Sequence, residues 1–168
     1  TKELMNQIKP YLLLWLSLTC FFQSEAQNTY QLQLPGDLTS DQASSILRTA
    51  KEVAQSQRVL VNIAIVDAGA NLKAFLRMDG SYLGSIDVAI KKAKTARLFN
   101  SPTGELGKIT QPGGAIYQIE LSNDGLITFP GGVPIKDKEG VIIGAIGISG
   151  GTIEQDHFIA SDAAESIL

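Results

Sequence analysis

The chain has 168 residues, a formal net charge of −3 and a hydrophobic content of 44% against 18% charged residues. That balance excludes a disordered or fibrous polypeptide and fits one globular domain with its own core. No basic stripe runs through it, so a nucleic-acid partner is not expected.

The first predicted element is apolar. Lys9 precedes the run Tyr11–Phe22, "YLLLWLSLTCFF", and Ser24–Ala26, "SEA", supplies small residues at the positions a signal peptidase reads. This predicts a signal peptide over residues 1–26, a single mature domain over residues 27–168, and export to the periplasm or the medium. An uncleaved N-terminal anchor is the alternative, although the run is shorter than the ~20 residues a membrane span takes. Cleavage after Ala26 would remove Cys20, the only cysteine. Thiol nucleophiles, disulfides and cysteine-based metal sites are then excluded. One histidine, His157, remains, and no G-x-S-x-G elbow accompanies it.

Residues 39–57 predict a helix: Thr39 and Gln42 have capping-box spacing, and Ala43, Ile46, Leu47, Ala50 and Ala54 share a face. Val59–Asp67 and Leu72–Met78 predict a β-hairpin about the turn Ala68–Asn71. Leu72, Ala74, Leu76 and Met78 would face one side, and Lys73, Phe75 and Arg77 the other. A helix is expected over Ser85–Phe99, with Ile86, Ala89, Ile90, Ala93 and Ala96 buried. Lys91, Lys92, Lys94 and Arg97 suit the C-terminal end of its dipole and read as a solvated face.

Residues 100–128 are rich in Gly and Pro and predict loops with short helical turns. Gly131–Asp137 and Val141–Ser149 predict two strands joined at Lys138–Gly140, with Gly140 left-handed. On the second strand Ile143, Ala145, Gly147 and Ser149 should share one face; Ile142, Gly144, Ile146 and Ile148 should share the other. A strand apolar on both sides is central and covered twice. Gly144, Gly147 and Gly150 then mark a close neighbour: a helix, a subunit or a flat ligand. Their spacing matches neither a dinucleotide fingerprint nor a P-loop. Thr152 and Gln155 cap a last helix. Paired hairpins with intervening helices predict an α+β fold, an antiparallel sheet flanked by helices.

The segments "VDAGANLKAFLRMDG", "SIDVAIKKAKTA", "FPGGVPI" and "GAIGISGGTIEQD" resemble the haem-binding uptake protein family, GlcG-like or HbpS-like, which is related to the C-terminal domain of PduO-type corrinoid adenosyltransferases. The resemblance covers roughly residues 40–168. It implies a profilin-like fold, a homo-oligomer, and haem or a related tetrapyrrole as ligand. The family has no shared axial ligand that maps onto this chain.

The candidate ligand site joins Arg77 and Asp79, Lys94 and Thr95, and Gly131, Gly132 and Pro134. Arg77 and Lys94 would hold anionic groups such as propionates, and Phe75 would stack on a ring. The same residues can instead tie down the hairpin end, with Lys94 exposed. His157, on the first turn of the last helix, is the obvious iron ligand. Met78 and Tyr117 are weaker candidates. Two other readings stay open. One is a small-metabolite enzyme or accessory protein of a glycolate-type pathway, with Asp67, Asp79 or Asp156 as acid or base. The other is a ligand-free oligomeric scaffold or sensor partner.

Overall fold

Six residues in a row, Val61–Val66, five of them apolar and the sixth Asn62, are all buried and form the heart of the sheet. A computed structural model describes residues 36–167, and these lie in one compact unit. The segment expected to be a signal peptide, residues 1–26 with Cys20, lies outside the described residues. In chain order the elements are α1 (Ser40–Ser56), β1 (Asn62–Asp67), β2 (Leu72–Arg77), α2 (Ser85–Leu98), α3 (Thr103–Thr110), a 3₁₀ turn (Ile119–Leu121), β3 (Gly132–Lys136), β4 (Ile142–Ser149) and α4 (Ile153–Glu165). The strands form one antiparallel four-stranded sheet in the order β2-β1-β4-β3. The fold is α+β, as the paired hairpins require.

Period-2 alternation divides the core into two layers. Ile63, Ile65, Ile146 and Ile148 meet Ile46 and Ala50 of α1 and Ile159 and Ala163 of α4. Ala64, Val66 and Ala145 meet Ala89, Ala93 and Ala96 of α2. Gly147 explains how α2 approaches so closely. A Cβ there would collide with the Ala89 carbonyl oxygen and the Ala93 nitrogen. Gly144 lies against Val66 and Leu38, and Gly150 against Leu60 and Val61. The close neighbour of Gly147 is therefore a helix of the same domain.

Both capping boxes form. Thr39 Oγ1 accepts from Gln42 N at 3.2 Å, and Thr152 Oγ1 from Gln155 N at 3.3 Å. Gly140 is left-handed, with φ 83°. Two expectations are corrected. Ile143 does not share the Ala145 face. Gly144 pairs with Ile135 and Ile142 with Lys136, so a bulge turns Ile143 into the α1/α4 layer. The α2 stripe also differs: Ile86 and Ile90 are half-buried, while Lys92 and Thr95 are fully buried.

The outer edge of β3 is blunted. Gly132 N donates to Thr103 Oγ1 at 2.9 Å, so α3 covers that end. Pro134, two residues on, has no donor, and Lys136 is exposed.

Candidate functional site

The strand order separates the residues first grouped as a site. Phe75, Arg77 and Asp79 belong to β2 or its end; Gly131, Gly132 and Pro134 belong to β3 or its start. These strands are opposite edges of the sheet, roughly 14 Å apart at normal strand spacing. Phe75 is half-buried against the Ala64, Val66 and Ala89 layer, where it packs rather than stacks on a ligand. Arg77 and Asp79 are exposed. Lys94 is exposed, while its neighbour Thr95 is buried and its Oγ1 accepts from Ile127 N at 3.1 Å. Successive helical residues point ~100° apart, so "KT" cannot present both side chains to one ligand. Met78 is a core residue, and Tyr117 is exposed in the long connection. Asp67 is consumed by its turn, accepting from Gly69 N and Asn71 N at 2.8 Å each.

Pro134 and His157 do face recesses, on the β3 side of the molecule. One, of about 500 Å³, is lined by Pro130, Ile153, Glu154, His157, Phe158 and Ser161. A second, of about 260 Å³, lies on the other side of Pro130 and His157, against Pro102, Gly104, Glu105 and Lys108. A third, also about 260 Å³, runs between Val133, Pro134 and Lys136 of β3 and Ser161, Ala164 and Glu165 of α4. They share Pro102, Pro130, His157 and Ser161 and so form one interrupted cleft between α3, β3 and α4.

The helix that carries His157 is fixed at its start by the Thr152 capping box and by Asp156 Oδ1, which accepts from Gly151 N at 2.9 Å. His157 is the fifth residue of α4, where its first turn passes into the second. The ring is half-buried. Its Nδ1 is enclosed without a hydrogen-bond partner among the described residues. Ile153 and Phe158 beside it are 46% and 53% exposed, an apolar lining with no other cover among the described residues. The nearest cation on the α3 side, Lys108, is held by Glu105 at 2.7 Å.

Beneath this cleft lies the feature that the sequence reading missed. Lys92 is not on a solvated face: it is fully buried. Its Nζ donates to Asp156 Oδ2 and to the Ile148 carbonyl oxygen, each at 2.9 Å, and lies 4.6 Å from the centroid of the Phe129 ring. Burial lowers the Lys92 pKa below its ordinary 10.5, and the Asp156 charge and hydrogen bond only partly offset that. Gly131, with φ 123°, leaves room for the ammonium: a Cβ there would sit 2.6 Å from Nζ. Three signals were available in sequence: the offset of Lys92 by three from Ala89, the double glycine at Gly131–Gly132, and Asp156 beside a capped helix start.

A tetrapyrrole needs an apolar slot, a nitrogen or comparable iron ligand, and cations near its rim. The largest recess offers the first in Ile153, Phe158 and Pro130, and the second in His157. Lys108 and Lys136 stand on the rims of the adjoining recesses. The residues present fit the group.

A family model described as "Haem degrading protein HbpS-like" matches residues 38–165. Corrinoid adenosyltransferase PduO of Salmonella typhimurium is 39% identical over 134 residues, which cover 79% of this chain and 40% of PduO. The chain thus spans less than half of that relative. Protein GlcG of Escherichia coli is 34% identical over 112 residues, covering 67% of this chain and 81% of GlcG. A crystal structure described as a PduOC:heme complex superposes with a TM-score of 0.73 at 38% identity, covering 79% of this chain and 97% of that one. With a matching fold and a family match over nearly all the described residues, the chain belongs to the HbpS-like family.

Proposed function

We propose that this protein binds haem or a related tetrapyrrole in the cleft between α3, β3 and α4, with His157 Nε2 as the iron ligand. The observation that carries the reading is the position of the only imidazole. It opens onto an apolar recess of about 500 Å³ whose exposed Ile153 and Phe158 have no other cover among the described residues. The haem complex of a 38%-identical relative supports the ligand class. Ile153, Phe158 and Pro130 would hold the macrocycle by apolar contact. Lys136 and Lys108 would meet its carboxylates, the latter by exchanging Glu105 for a propionate. Bound haem would supply a redox-active iron and a visible chromophore.

The protein is proposed to act after export. Support comes from Lys9, the apolar run Tyr11–Phe22 and Ser24–Ala26. An N-terminal residue of Gln27 in protein recovered from the periplasm or medium would bear this out, and an intact residue 1–26 segment there would contradict it.

Haemin titration tests the binding site. A saturable Soret shift is expected with the purified protein, and His157→Ala is expected to change the shape of the bound spectrum, not only the affinity. Identical bound spectra for the two proteins would remove His157 as ligand; a featureless titration would remove the tetrapyrrole.

A further inference from the structure

Lys92 touches both walls of the cleft without lining it. The wall on one side is Pro130, and the residues on either side of it, Phe129 and Gly131, both rest on the Lys92 ammonium. The wall on the other side is His157, and the residue before it, Asp156, holds the same ammonium at 2.9 Å. Pro130 and His157 are in turn the two residues shared by the recesses of about 500 and 260 Å³.

From this juxtaposition we infer that Lys92 is a positioning residue for the cleft: its ammonium clamps the Phe129–Gly131 segment to the start of α4 and thereby fixes where His157 points. The inference rests on the binding reading above. Three features argue that the clamp is specific. Lys92 is fully buried and Asp156 is 3% exposed, so water does not compete for the bond. The Ile148 carbonyl oxygen at the end of β4 gives the ammonium a fixed backbone partner. The crowding at Gly131 leaves no room for the segment to settle closer. A rotation of Asp156 about the α4 axis carries His157 with it, because the two are adjacent on one helix.

His157 is the chain's only histidine, so its ring signals in a ¹H–¹³C NMR spectrum are unambiguous and need no ligand. Wild-type protein is expected to give one sharp pair of ring correlations. Lys92→Met is expected to split or broaden them while amide dispersion shows a folded domain. Ile46→Ala, a core truncation in α1, supplies a control of reduced stability that should leave them unchanged. With haemin, Lys92→Met should bind about tenfold more weakly and lose the His157-dependent part of the spectrum, and Ile46→Ala should do neither. Should Lys92→Met fail to fold, Asp156→Asn carries the same test, since its oxygen still accepts from Gly151. Sharp wild-type ring signals in the folded clamp variant would overturn the inference, as would equal disturbance in Ile46→Ala. Wild-type protein that ignores haemin would refute the binding reading, while the ligand-free NMR comparison would still decide the clamp.

Discussion

A single methyl group separates a working helix-on-sheet contact from a clash at Gly147. The atoms a Cβ would meet are backbone atoms of α2, which cannot rotate away. Gly147→Ala is therefore expected to destabilise the domain by about 1–3 kcal/mol, read as a lowered midpoint in urea unfolding. At the buried ion pair the expected loss is larger. Asp156→Ala leaves the Lys92 charge without its partner, which costs about 3–5 kcal/mol. A third residue-level prediction concerns acid. Thr128 Oγ1 donates to Glu120 Oε1 at 2.6 Å, and this bond is the main reason the carboxyl lies below its ordinary value of 4.5. A depressed carboxylate pKa contributes stability above the unfolded value, and that stability is lost as pH falls through the folded value. Thr128→Val should flatten the acid limb of the stability profile. An unchanged slope below pH 4.5 would show that the bond does not form in solution.

The elements themselves were legible to the extent that local chemistry decides them. Both capping boxes stood in the sequence as Thr-x-x-Gln, and both form. Thr39→Ala and Thr152→Ala are each expected to cost about 1 kcal/mol, measured by thermal unfolding. The hairpins were equally clear, because alternation and turn residues agree on them. What sequence could not place was the long connection, where a full helix, α3, forms over Thr103–Thr110. Its stability comes from tertiary contact: Thr103 donates to the Phe129 carbonyl oxygen at 2.8 Å, and Gly107 lies under Thr128. Neither contact has a local signature. Lys92 was misread for a related reason. A lysine in a basic run looks solvated until a distant carboxylate, 64 residues on, claims it.

At the scale of the whole molecule, the sheet order decided which candidate residues could act together. The α+β class followed from the hairpins, but the order β2-β1-β4-β3 did not. That order sets Arg77 and Pro134 on opposite edges, and it moves the site to the α4 side. The β2 end of the molecule remains apolar and open: Tyr82 and Leu83 are 73% and 67% exposed. Such a patch suits self-association, and the protein is proposed to be a homo-oligomer on that ground. Tyr82→Ser with Leu83→Ser should lower the mass seen by light scattering, without altering the haemin spectrum. The central claim is that His157 presents an iron ligand to an apolar cleft. The most direct measurement is the absorption spectrum of haemin-saturated wild-type protein beside His157→Ala. The account predicts a saturable Soret shift whose bound form changes when the imidazole is removed. Superimposable spectra, or no saturable shift in the wild type, would contradict it.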